Sequence, residues 1–88
     1  MKNGFDKQKL SRIENISKNL QDRAEILHAI IEDIIREFEW AEKTHSKPNV
    51  YYLREHISEA LKVLEELEKI SENFESVKQV LEELKNSL

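Results

Sequence analysis

Pro48 is the one residue of this chain that must interrupt a helix, and little else in the sequence can. The single Gly stands at position 4 and Pro48 is the single Pro among 88 residues. Proline lacks an amide donor, clashes with the preceding turn and pushes Lys47 out of the helical region. Around it, Thr44-His45-Ser46-Lys47-Pro48-Asn49 gathers the polar residues of a short connection. One break between long runs rich in Glu, Lys, Leu and Ile describes an all-α chain. The expected organisation is a single helical domain over 1–88: helix 1 about 6–44, turn 45–49 and helix 2 about 50–86. So short a connection favours an antiparallel two-helix hairpin.

Both flanks carry helical periodicity. Ala24, Leu27, Ile31, Ile34, Phe38 and Ala41 recur at steps of three and four, which stacks side chains on one helix face. Ile13, Ile16 and Leu20 continue that stripe upstream. Ile26, Ile30 and Ile35 lie beside it and widen it to roughly half the circumference. On helix 2 the stripe runs through Leu53, Ile57, Ala60, Leu61, Leu64 and Leu67. It resumes at Ile70, Phe74, Val77, Leu81, Leu84 and Leu88, displaced as in a helix that wraps slowly around its neighbour. Ser71-Glu72-Asn73 is a possible break, but without Gly or Pro one continuous helix is expected there.

The helix ends have candidate caps. Met1 to Phe5, with the Asn3-Gly4 turn, reads as a frayed start. Asp6 can cap helix 1, and so can Ser11, with Glu14 at capping-box spacing. Ser46 or Asn49 can cap helix 2.

A stripe this wide exceeds what a two-helix seam covers. In a lone hairpin Ile26, Ile30 and Ile35, with Ile70, Val77 and Leu84, would form an exposed apolar strip of the sort monomers avoid. Two hairpins about a twofold axis bury such a strip as a four-helix bundle. Those six residues are the expected dimer interface.

Charge sets the pairing direction and excludes some partners. The formal net charge of −4 disfavours binding to phosphate backbones, so no nucleic acid is expected. The basic start (Lys9, Arg12, Lys18) complements the acidic end (Glu72, Glu75, Glu82, Glu83) only when the helices run antiparallel. No apolar run approaches the ~20 residues that span a bilayer, and the first ten residues lack the apolar core of a signal peptide. With no Cys, disulfides, thiolate metal sites and a cysteine nucleophile are excluded. No membrane partner is expected, and the location expected is cytoplasmic.

The polar residues offer little catalytic chemistry. Glu25, His28 and Glu32 share a helix face, and Glu42–His45 repeats the Glu-x-x-His spacing. Carboxylate and imidazole at that spacing can chelate a divalent metal, and the pattern resembles half of the di-iron site of ferritin-like proteins. Such sites need the motif on two facing helices, whereas both copies here lie on helix 1, about 17 residues apart. They read as solvated rim residues, so no metal or cofactor is expected; a metal-binding bundle built on Glu25, His28 and Glu32 is the alternative function. Arg23-x-x-x-x-His28 has a spacing similar to that of HEPN-type ribonucleases, in which Arg and His of two subunits face a shared cleft. Ala24 stands where that motif carries a polar residue. No Gly-x-Ser-x-Gly and no Gly-rich phosphate loop occurs, so no enzyme is expected.

The aromatic residues are more informative. Trp40 lies off the main stripe, as does Tyr51, and both are near the turn. With Tyr52, His45 and His56 they would gather at one tip of the hairpin. Trp40 can cap the core under the loop or enter the dimer seam. Alternatively Trp40, Tyr51 and Tyr52 form a partner-binding patch, a setting in which such residues are enriched. The function expected is a small non-enzymatic protein–protein interaction or regulatory module acting as a homodimer. An adaptor, an antitoxin- or immunity-type inhibitor, and a phage or mobile-element protein all fit that description.

Overall fold

The computed structural model describes residues 7–88; the expectations for Met1–Phe5 and for an Asp6 cap lie outside the described residues. Three helices follow one another: α1 (Lys7–Lys43), α2 (Val50–Ser71) and α3 (Phe74–Ser87). No strand occurs among the described residues. α1 begins upstream of Ser11, so that residue sits inside the helix and caps nothing. Ser17 is likewise interior, its Oγ donating to the Glu14 carbonyl oxygen at 2.8 Å.

The turn is built by capping at both ends. Ser46 N–H donates to the Ala41 carbonyl (2.8 Å) and His45 N–H to that of Glu42 (3.3 Å). This paired closure satisfies the last carbonyls of α1 and requires a left-handed residue just past the helix. His45 occupies that position with φ 54°. Asn49, in extended conformation, then caps α2, its Oδ1 accepting from Tyr52 N–H at 3.0 Å. Its own N–H donates to Glu37 Oε2 at 2.8 Å and ties the start of α2 to α1.

The expected continuous second helix is corrected: the chain breaks at Glu72–Asn73. Glu72 N–H reaches Lys69 (3.2 Å) and Asn73 N–H reaches Ile70 (3.0 Å), bonds three residues back instead of four. Asn73 has φ −90° and ψ −3°, and Ser71 Oγ donates to the Glu68 carbonyl at 2.6 Å. Ser and Asn side chains offer the backbone such local alternatives, so a break needs neither Gly nor Pro. The chain does not reverse here: Lys9 Nζ near the start of α1 meets Glu83 Oε1 of α3 at 3.2 Å.

The helix seam is also rotated from the expected stripe. From Ile13 onward the less exposed positions of α1 run Ile13, Ile16, Leu20, Arg23, Leu27, Ile30, Ile34, Glu37 and Ala41, alternating three and four, with Leu10 before them and Asp33 beside Ile34 as additions. On α2 the corresponding series is Leu53, His56, Ala60, Val63, Leu67 and Ile70, with Tyr52 beside Leu53. Ile30, Ala60 and Val63 form the buried centre, with Leu27, Ile34 and Leu67 packed on it. Ile31 and Phe38, placed in the stripe by periodicity alone, are exposed. Arg23 and Glu37 take seam positions because their polar heads reach α2: Arg23 Nη1 lies 3.5 Å from Glu66 Oε1, and Glu37 accepts from Asn49.

The result is one layer of helices, 68 × 20 × 15 Å. The radius of gyration is 19.8 Å, against about 12 Å for a compact chain of this length. The accessible surface, 7287 Å², exceeds the ~5,400 Å² of a compact monomer of this mass.

Two outcomes follow for stability. His45→Gly removes the cost of a left-handed Cβ and should raise stability by about 1 kcal/mol, seen as a rise in Tm of about 4–8 °C. Lys9→Glu should lower Tm by about 1–5 °C at low ionic strength, with the loss shrinking in high salt because the pair is exposed.

Candidate functional site

The two edges of the α1–α2 seam differ in chemistry. One is closed by polar side chains. Arg23–Glu66 (3.5 Å), His56 Nε2–Asp33 Oδ2 (3.6 Å) and Glu37–Asn49 (2.8 Å) cross it, and Lys9–Glu83 (3.2 Å) crosses between α1 and α3. Arg36 pairs with Asp33 on the same edge.

The other edge is apolar and open. At about 100° per residue, Ile31, Ile35 and Phe38 all fall to one side of the Ile30–Ile34 line, while Asp33 and Glu37 fall to the other. An antiparallel partner offset in the same rotational sense presents its offset residues on the same face. Ile57, Leu61 and Leu64 are therefore on the same side of the hairpin as Ile31, Ile35 and Phe38. Phe74 and Leu81 continue the face along α3. These eight side chains are each between 41% and 58% exposed. Toward the α2–α3 junction, Leu20 of α1 joins Leu61, Leu64, Leu67 and Phe74 in lining an open groove, so both sides of the seam contribute. With roughly 90 Å² exposed on each such side chain, the open face amounts to about 700 Å².

The residues expected at the dimer interface distribute differently. Ile30 and Ile70 are buried within the hairpin, with 8% and 9% of their surface exposed. Val77 and Leu84 are half-buried and carry the seam spacing into α3. Ile26 is exposed on the ion-paired side. Ile35 alone of the six lies on the open apolar face. The physical reason is the rotation of the seam: closing the hairpin consumes Ile30 and Ile70 and releases Ile31, Phe38, Leu61 and Leu64.

The tip keeps two of its three aromatic candidates in solvent. Trp40 is 55% exposed and Tyr51 73%. Ala41, 3% exposed, holds the position under the loop that Trp40 was a candidate to fill. The Trp40 backbone carbonyl accepts from Thr44 N–H (3.0 Å) and Oγ1 (2.9 Å), while its side chain lines a shallow hollow with Glu37, Lys47 and Asn49. Tyr52 is engaged otherwise. Its ring packs on His56 with centroids 4.1 Å apart, and His56 Nδ1 lies 3.0 Å from the Tyr52 carbonyl oxygen.

The polar motifs do not converge. His28 Nε2 and Glu32 Oε2 are 3.6 Å apart, both exposed on the outer surface of α1. Among the described residues no group of three or more His, Asp or Glu is arranged to hold a metal ion. Arg23 and His28, five residues apart, project about 140° from each other, and Arg23 is occupied by Glu66. No described helix is long and apolar enough to cross a membrane.

The chain matches no protein-family model, no curated protein and no solved structure.

Since Trp40 is the only Trp, its fluorescence reports the tip directly. Its emission should be red-shifted and readily quenched by acrylamide. Because Trp40 lies on the ion-paired side, quenching should not change with protein concentration. A blue-shifted, protected signal would place Trp40 in a buried contact.

Proposed function

We propose that this chain is a small non-enzymatic protein–protein interaction module that works as a helical-bundle homodimer, with the open apolar edge as its contact surface. The observation that supports this most is the one-sided distribution of apolar residues. About 700 Å² of exposed Ile, Leu and Phe exceeds the ~300–600 Å² of the largest patch on a typical monomer. It approaches the ~800 Å² per partner of a stable interface. The alternation of three and four along both helices suits coiled-coil packing, which adds further helices without changing the existing seam. Trp40 and Tyr51, exposed on the side away from that edge, are the residues through which the dimer would engage a protein partner. An adaptor or a stoichiometric inhibitor would both use the molecule in this way.

Sedimentation velocity tests the reading. The wild-type chain at micromolar concentration should sediment at twice its 10.5 kDa mass. Leu61→Glu, which places a charge in the centre of the apolar contact, should shift it to monomer, while Asn19→Glu, exposed on the ion-paired side of α1, should not. A compact wild-type monomer would overturn the proposal.

A further inference from the structure

We propose that the turn at Glu72–Asn73 is a register device: it rotates α3 so that Phe74 and Leu81 leave the helix seam and join the open apolar face, while Val80 takes their place. The register concerns a single chain; its consequence for association rests on the homodimer reading above.

The seam positions of α2 recur as Leu53, His56, Ala60, Val63, Leu67 and Ile70, in steps of three and four. One uninterrupted helix would continue that series through Phe74, Val77, Leu81 and Leu84. In the structure the half-buried positions of α3 are Val77, Val80 and Leu84, and Phe74 and Leu81 are exposed. Val77 and Leu84 serve both series. The difference is an exchange of Phe74 and Leu81 for Val80, which shares a hollow with Ile13 and Ile16 of α1.

The geometry of the turn produces this exchange. Glu72 N–H and Asn73 N–H each bond three residues back, to the carbonyls of Lys69 and Ile70. A three-residue turn advances about 120° per residue, where an α-helix advances about 100°. Two such residues rotate everything downstream by roughly 40° more, comparable to the angle between the two series on α3. A seam offset by three residues is overwound in this sense. Ser71 Oγ, donating to the Glu68 carbonyl at 2.6 Å, and Asn73, at ψ −3°, hold the turn.

Glu83 is a second marker of the register. It reaches Lys9 Nζ at 3.2 Å across the polar edge. Measured against the Phe74–Leu81 series it would stand about 140° from the seam, on the outer surface of α3 and away from α1.

Rotated outward, Phe74 stands with Leu61 and Leu64 in the open groove at the α2–α3 junction. Leu81 carries the face further along α3. The continuous register would turn both toward α1 and end the apolar face near Leu64. A second copy that covers Phe74 and Leu81 therefore binds the broken register alone, so association and the turn stabilise each other.

Thiol reactivity tests the register. The chain has no Cys, so Val80→Cys and Leu81→Cys, made separately, each report one position. Both are placed in the Leu61→Glu background, at a concentration where sedimentation gives monomer mass, so that no second copy shields them. Leu81→Cys should react with an aromatic disulfide about tenfold faster than Val80→Cys, or more, because a buried thiol is inert. Ser71→Ala with Asn73→Ala removes the Oγ bond and puts the best helix former at both positions, which should reverse the order. Equal or inverted rates with the native turn overturn the proposal, as does an order that fails to reverse in the double-Ala variant. With Leu61 restored, the same double-Ala variant should self-associate about tenfold more weakly or worse, because two apolar side chains per copy have left the face. Unchanged affinity overturns the link between turn and face. A wild-type chain that sediments as a monomer overturns the homodimer reading and leaves the register standing.

Discussion

The hairpin depends on a single antiparallel seam that is apolar at its centre and polar along one edge. Its buried centre is small: Ile30, Ala60 and Val63, extended by Leu27, Ile34 and Leu67. Dispersion and area burial in such a core do not distinguish one helix register from a neighbouring one a heptad away, because both would set apolar stems against apolar stems. The polar edge does distinguish them. A slip would part Arg23 from Glu66, Asp33 from His56 and Glu37 from the first amide of α2 together. Partly buried polar groups deprived of partners are costly, so these contacts specify register more than they add strength.

Placing the polar contacts on one edge leaves apolar residues concentrated on the other. Charged side chains bridge the front of the seam; Ile and Leu line its back. A one-layer structure cannot cover that back by itself, since both helices of the pair are already committed to each other. Among the described residues, α3 is spent extending α2 along the start of α1. Exposed surface on this scale therefore follows from the topology of a hairpin whose helices carry stripes wider than one seam.

The turn region shows a different economy. Ala41 is small enough to be sealed beneath the loop, and the hydrogen bonds of His45, Ser46 and Asn49 close both helix ends locally. Nothing larger is needed to stabilise the tip, and this leaves Trp40 and Tyr51 outside. Tyr52, one residue from Tyr51, turns inward onto His56. Adjacent helical positions differ by about 100°, enough to divide two tyrosines between the seam and the solvent.

The sequence by itself determined that the chain is helical, where its one sharp reversal lies and which way the helices run. Pro48 acts through local sterics, and the charge asymmetry acts over distances that need no side-chain geometry. The rotation of each helix about its axis was decided only in the tertiary structure. A helix such as α1, apolar over roughly half its circumference, has several nearly equivalent faces, and periodicity alone favoured the one centred on Ile31 and Phe38. The seam instead admits Arg23 and Glu37, which read as surface residues until Glu66 and Asn49 are known to stand opposite them. That choice moved Ile30 and Ile70 into the core and exposed Leu61 and Leu64. The break at Glu72–Asn73 was similarly marked in sequence by Ser and Asn. Whether their side chains prevail over the helix is set by small differences in backbone hydrogen bonding that composition does not fix. Single-chain patterns report which residues prefer to be buried; which of them a neighbour covers depends on pairwise contacts between residues distant along the chain.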